Sequence, residues 1–177
     1  MNRNIVLFTL VIVLFAVGGD VITMHAATKE ETQAIFMANF VKFITWPDPL
    51  KGEATIIVGI IGEGPFEENL KKVFAGKDFG GKTVEVKSFQ AVPTGEVCHI
   101  LFISSSEEGN LSKILEALKS LSILTVGEMK QFVESGGMIN FTLVEDKVRF
   151  EINLGSAKKV NLKINPKLLK LAVLVKQ

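Results

Sequence analysis

Cys98 and His99 are the side chains in this sequence best suited to chemistry, a nucleophile next to a base. Their spacing works against it. They open the run Cys98-His99-Ile100-Leu101-Phe102-Ile103, and adjacent side chains on a strand point to opposite faces. A thiolate–imidazole pair cannot form between them. The only other histidine is His25, which the reading below assigns to a segment removed on export. A zinc site or a triad would then have no second imidazole to draw on. His99 is expected to be buried and satisfied by a backbone carbonyl, and Cys98 to be buried as a small hydrophobe. Ser104-Ser105-Ser106 has no glycine elbow and no evident base, so it reads as a strand end and helix cap. No pair of carboxylates stands out for acid–base work. No catalytic residue, cofactor or metal site is expected.

Gly62-Glu63-Gly64-Pro65 follows an apolar run and precedes a helical pattern, which invites comparison with a dinucleotide fingerprint. Glu67 takes the place of the third glycine. With Glu68 it sets negative charge where a pyrophosphate would sit on the helix N-terminus. Both carboxylates suit the helix dipole instead. A net charge of +1 gives no global footprint for nucleic acid. A single cysteine permits no internal disulfide.

The elements around these residues are legible from periodicity. Ile100–Ile103 is apolar on both faces, as is Ala54–Ile61, so both runs belong inside a sheet covered on two sides. Thr28 and Glu31 have capping-box spacing. The stripe Phe36, Phe40, Phe43, Ile44 then marks a helix, ended at Trp46-Pro47 because the residue before proline avoids helical angles. Phe66, Leu70, Val73 and Phe74 mark a second helix. Val84 and Val86 alternate with charges as an edge strand. Ser105 and Glu108 suggest a cap for the helix bearing Leu111, Ile114, Leu115 and Leu118. Ser122–Val126 is a strand, and Met129, Phe132 and Val133 predict a short helix ended by Gly136-Gly137. Ile139–Leu143 and Val148–Ile152 form a hairpin around Glu145-Asp146-Lys147. Asn165-Pro166 starts a last helix with core stripe Leu168, Leu171, Ala172 and Val175. Its other side carries lysines, part of the set 158, 159, 163, 167, 170 and 176, in a segment free of acidic residues from Gly155 on. A solvated face is the simple reading, and an anionic surface or acidic partner the other. The pattern predicts a single three-layer α/β domain. Its central sheet is mainly parallel, of about six strands, with an antiparallel hairpin at one edge and helices on both faces.

Ahead of this domain, Arg3 precedes the apolar run Ile5–Val17, broken by Gly18-Gly19-Asp20, with small residues at Ala26-Ala27. That is the layout of a secretory signal peptide, too short for a membrane span of about 20 residues. Met24 or His25 at a position that prefers a small residue leaves an uncleaved anchor as the other reading. The expected boundaries are 1–27 for the signal peptide and 28–177 for the domain, with a periplasmic location.

Several stretches, in order, resemble the YfiR family of periplasmic regulators. They are Ala38-Asn39-Phe40 with the Trp46-Pro47 exit, Gly62 through Phe66, and Cys98 through Ser104. Leu124-Thr125-Val126, Gly136-Gly137-Met138-Ile139, Phe150-Glu151-Ile152-Asn153 and Leu168 through Ala172 continue the series. The resemblance implies a non-enzyme that binds the periplasmic sensory domain of an inner-membrane diguanylate cyclase and represses cyclic di-GMP production, with consequences for biofilm behaviour. It implies membrane contact only through that partner, and it is compatible with a homodimer. Related proteins often use several cysteines, whereas Cys98 has none to pair with. Phe43, Trp46, Pro47 and Asp48 are the expected partner contact, since tryptophan at a helix exit is often half-exposed and dominates many interfaces. The other reading of Trp46 is a plug at the end of the core. The alternative function is a periplasmic small-ligand binding protein with its pocket at the strand ends.

Overall fold

Apolar runs too hydrophobic for a sheet edge become the centre of the sheet. The computed structural model describes residues 27–48 and 50–177, so the expected signal peptide, apart from Ala27, lies outside the described residues. Helix α1 (Lys29–Phe43) starts at the capping box: Thr28 Oγ1 accepts from the Glu31 amide at 3.1 Å, and Glu31 Oε2 accepts from the Thr28 amide at 2.9 Å. The chain continues through β1 (Ile44–Thr45), β2 (Thr55–Ile61), α2 (Phe66–Phe74) and β3 (Thr83–Phe89). Next come β4 (Ile100–Ile103), a 3-10 turn over Ser105–Asn110, α3 (Leu111–Leu118) and β5 (Leu124–Gly127). The hairpin is β6 (Ile139–Val144) and β7 (Lys147–Asn153), followed by α4 (Leu154–Lys159), β8 (Lys163–Ile164), α5 (Pro166–Leu169) and β9 (Leu174–Lys176).

The main sheet has seven strands in the order β3-β2-β4-β5-β6-β7-β9. All neighbours run parallel except β6 and β7. The α/β, mainly parallel reading therefore holds, and the two strands apolar on both faces, β2 and β4, lie side by side. Ile100 and Phe102 of β4 join the core under α1 and α2. Leu101 and Ile103 join the core under α3. Phe36 and Phe40 of α1 pack on Phe141 and Phe150, with ring centroids 5.3 to 6.3 Å apart. A separate two-stranded sheet pairs β1 with β8, Ile44 opposite Ile164.

Two elements differ from expectation. The last helix is one turn long. Leu168 is buried, but Leu171 is 55% exposed, and the chain turns into β9. The helical leucine spacing loses to the open edge of β7, whose backbone groups need partners. The Phe150 carbonyl accepts from the Val173 amide at 3.0 Å, and β9 then pairs Leu174 with Glu151. The other difference is 129–136, a succession of turns rather than a helix, with Gln131 at φ 57°. Met129, Phe132 and Val133 are nonetheless buried. Three buried polar side chains shape this run. Asn140 Oδ1 accepts from the Met129 amide, Asn153 Nδ2 donates to the Val133 carbonyl, and Thr125 Oγ1 accepts from the Met138 amide. They satisfy backbone groups at the two ends and within the run of turns that would otherwise be buried without partners.

Phe132 occupies the space left by two missing side chains. A Cβ at Gly137 would lie 2.2 Å from the ring, and one at Gly127 would lie 2.5 Å from it. Gly137→Ala should therefore cost about 1–3 kcal/mol by overpacking. Phe132→Leu in the same chain should return part of that loss, which a double-mutant cycle of denaturant midpoints reads directly.

Candidate functional site

His99 lies one residue before β4, where the chain entering the sheet is not yet a strand. Its amide donates to the Ile57 carbonyl at 2.9 Å. In a regular parallel ladder the Ile57 amide would return a bond to the carbonyl of Val97. Here it donates to His99 Nδ1 at 3.1 Å, so the imidazole replaces a missing strand carbonyl. Because Nδ1 accepts, the proton is on Nε2, which donates to the Leu50 carbonyl at 3.3 Å. The His99 carbonyl accepts from the Leu124 amide at 2.9 Å and from Trp46 Nε1 at 3.0 Å. One residue thus joins β2, β5, the helix exit and the 3-10 turn Leu50–Gly52. Burial holds the imidazole pKa below its ordinary value of 6.5. The Leu50 carbonyl acts in the opposite sense, Lys82 adds to the lowering, and Glu53 opposes it.

Trp46 sits beside this histidine, ring centroids 5.5 Å apart at 79°. It is 5% exposed, which corrects the expectation of a half-exposed ring. The exit from α1 does not leave the ring outside, because β1 pairs with β8 and turns the chain back over the sheet. Phe43 and Pro47 are half-buried and Asp48 is exposed. The Pro47 carbonyl accepts from the Lys51 amide at 3.1 Å. The four residues expected to meet a partner therefore form one corner, with Trp46 as its floor.

This corner opens on a cavity of about 400 Å³ at the N-terminal ends of β2 and β3. Val41, Ile44, Trp46, Leu50, Ile56 and Phe79 supply apolar lining, and Lys42, Lys51, Lys82 and Asp78 the charges. The lysines, Asp78 and Phe79 escaped the sequence reading. They come from separate segments and carry no spacing signal until the fold brings them together.

At the opposite ends of the strands, serine side chains fill the glycine turn, and a separate hollow of about 250 Å³ lies beside Glu128 and Asn140. Ser104 Oγ donates to the Glu63 carbonyl at 2.6 Å and accepts from the Ser106 amide at 3.3 Å. Ser106 Oγ accepts from the Glu63 amide at 2.9 Å. Ser104, rather than Ser105, is thus the cap. Gly62, at φ 91°, leaves room for Ser106: a Cβ there would lie 2.6 Å from its Oγ. The glycine turn holds serine side chains where a phosphate cradle would be open. Glu67 pairs with Lys71 at 2.6 Å and accepts from Ser88 Oγ at 2.5 Å, and these bonds hold its pKa below 4.5. A hollow of only about 100 Å³ remains between these loops and α1. Glu128 closes it, salt-bridged to Lys29 at 2.5 Å and accepting from Gln33 at 3.0 Å.

Cys98 packs with Leu101 and Ile103 on the α3 side, away from Trp46. Its Sγ donates to the Ile100 carbonyl at 3.2 Å. Burial pushes the thiol up to about 12, which leaves almost no thiolate for nucleophilic or redox chemistry. No group of three metal-ligating side chains occurs among the described residues. No helix among them is long and apolar enough to cross a membrane.

Residues 30–173 match the family model described as YfiR/HmsC-like. Among solved structures, the chain is similar to the ABC domain from Streptococcus pneumoniae in complex with L-Trp. The TM-score is 0.55 at 12% identity, over 80% of this chain and 60% of that one. It is also similar to a conserved domain protein from Vibrio cholerae O1 biovar El Tor, with TM-score 0.55 and 12% identity, over 84% of this chain and 60% of that one. The chain spans 60% of the length of each, and the likeness shows the α/β fold alone.

Two predictions follow from the corner's geometry. With its folded pKa below 6.5, His99 binds a proton more readily when unfolded. Its contribution to stability is full above pH 6.5 and falls with pH down to the folded pKa. Urea midpoints from pH 7.5 to pH 5 should show this loss, and the His99→Leu slope should be shallower by the histidine's share. At Trp46, alanine should cost about 3–5 kcal/mol through the cavity it leaves. Trp46→Phe removes only one of two donors to the His99 carbonyl and should cost about 1 kcal/mol in the hydrogen bond.

Proposed function

The chain belongs to the YfiR/HmsC-like family, and from that premise we propose that it represses a membrane-bound diguanylate cyclase by direct contact. It is exported to the periplasm, with residues 1–27 removed in the process. There it binds the periplasmic sensory domain of the cyclase and keeps cyclic di-GMP production low on the other side of the membrane. At the level of the family the role is that of a regulator rather than an enzyme. The observation that carries this reading is the family match over 30–173, nearly the whole described domain.

The chemistry of the site supports it. The described histidine uses both ring nitrogens on backbone groups, and the thiol is buried and protonated. Neither is free to act on a substrate. For the alternative expectation, a small-ligand pocket at the strand ends, the C-terminal ends offer hollows of about 100 Å³ beside the serines and about 250 Å³ beside Glu128 and Asn140.

The contact surface we propose is Phe43, Pro47 and Asp48, held in shape by Trp46 beneath. Half-buried apolar groups beside an exposed charge suit an interface whose apolar centre has a polar rim. Because Trp46 is buried, its part is to fix the corner, and the binding energy falls to its neighbours.

Deleting the gene should raise cyclic di-GMP, and the protein recovered from the periplasm should lack residues 1–27 by mass. Asp48→Arg should keep the melting temperature and weaken capture of the cyclase's sensory domain by about tenfold, a loss of about 1.4 kcal/mol. Unchanged cyclic di-GMP on deletion would refute the regulatory reading. Full binding by Asp48→Arg would refute the contact surface alone.

A further inference from the structure

The cavity beside Trp46 has two kinds of lining, and they differ in burial, the apolar side chains mostly buried and the charged ones more exposed. Val41, Ile44, Trp46 and Ile56 are buried and give it an apolar floor. Three lysines, Lys42, Lys51 and Lys82, line it from α1, the 3-10 turn and the residue before β3. One carboxylate, Asp78, faces them. That carboxylate is already in use, since its two oxygens accept from the Gly81 amide at 2.9 and 3.1 Å. None of the three lysines forms a salt bridge among the described residues.

Lys82 is the most fixed of the three. It is half-buried, and its ammonium donates to the Lys51 carbonyl at 2.8 Å and to the Glu53 carbonyl. An ammonium has three N–H donors, so one remains for a guest. Lys42 lies over the Phe79 ring, 5.7 Å from its centroid, which sets a second positive charge on the same lining. The floor is equally fixed, because Trp46 and Leu50 are both bonded to His99. Donors held in place before binding lose little entropy on binding.

We infer that this cavity binds an amphipathic monoanion, an aliphatic body on the Val41–Ile44–Trp46 floor with its carboxylate at Lys82 and Lys42. A cationic amphiphile would meet three like charges. A polyanion such as a nucleotide would set its charge against the apolar floor. A neutral hydrocarbon would gain the apolar floor and leave the lysine charges to solvent. The inference does not depend on the cyclase reading. It shares Trp46 with the proposed contact, but its test uses the isolated chain.

Trp46 is the only tryptophan in the sequence, so intrinsic fluorescence reports from the cavity floor. The probes are decanoate and decyltrimethylammonium, which share a chain and differ in the sign of the head group, titrated below micelle formation. Decanoate should give a saturable change, and the cation should bind at least about tenfold more weakly. Lys82 also ties the two carbonyls of Lys51 and Glu53, so the test variant is at Lys42. Lys42→Glu leaves those ties intact and should weaken decanoate by about tenfold at an unchanged melting temperature. A flat or unsaturable decanoate titration, equal affinity for the two head groups, or normal decanoate binding by a folded Lys42→Glu would each overturn the inference.

Discussion

The neutral imidazole of His99 is the constraint on which the rest of this structure depends. A parallel sheet is buried on both faces, so every backbone group along its central strands needs a partner. Strand β4 is only four residues long, and its ladder stops before that of β2 does. The Ile57 amide would be left without an acceptor in the core, a desolvation cost of about 1–3 kcal/mol. His99 Nδ1 supplies the acceptor. It can do so only while deprotonated, because a protonated ring offers two donors and no acceptor. The same ring then spends its one remaining donor on the Leu50 carbonyl. Sheet completion and the position of the turn before β2 are therefore settled by one protonation state.

That arrangement explains why a histidine next to a cysteine does no chemistry with it. The two side chains go to different layers, Cys98 to the α3 core and His99 to the side of Trp46. Strand alternation made this separation legible in the sequence. The acceptor role was not legible, because sequence carries no signal for where a ladder runs out. The expected carbonyl partner was found at Nε2. The bond at Nδ1, to an amide rather than a carbonyl, depends on β2 and β4 being neighbours.

The same contrast holds across the fold. Signals that act within one element were readable: the Thr28–Glu31 box, the double-faced apolarity of β2 and β4, and the hairpin alternation. Where a neighbour decided the outcome, local pattern misled. Ala172-Val173-Leu174-Val175 continues a helical stripe from Leu168 and is equally a β-rich run, and the open edge of β7 settled it as a strand. Around 129–136 the apolar spacing suggested a helix. The buried Asn140, Asn153 and Thr125 instead satisfied a string of turns, and they reach it from three strands, β6, β7 and β5. Trp46 was placed correctly at a helix exit, but β1 and β8 folded it inward. Lys42, Lys51 and Lys82 went unremarked because they converge only after β2 and β3 pair in register.

Which end of the sheet is open follows from side-chain size and charge. In open α/β sheets the usual crevice lies beyond the carboxyl ends of the strands, at the point where strand order reverses. Here that point falls between β2 and β4. Ser104 and Ser106 occupy it from one side, and the first turns of α1 close it from the other through Lys29, Gln33 and Glu128. Helix α1 starts at that closed end and finishes near the start of β2. Its last turn carries Lys42, a charge that suits the negative end of the helix dipole and also faces the open cavity. The chain thus opens a cavity of about 400 Å³ at the end opposite the conventional one, where smaller hollows of about 100 and 250 Å³ remain. It has done so where His99 ties the floor to the sheet, so whatever binds at the Trp46 corner meets a surface that the folded core has already fixed.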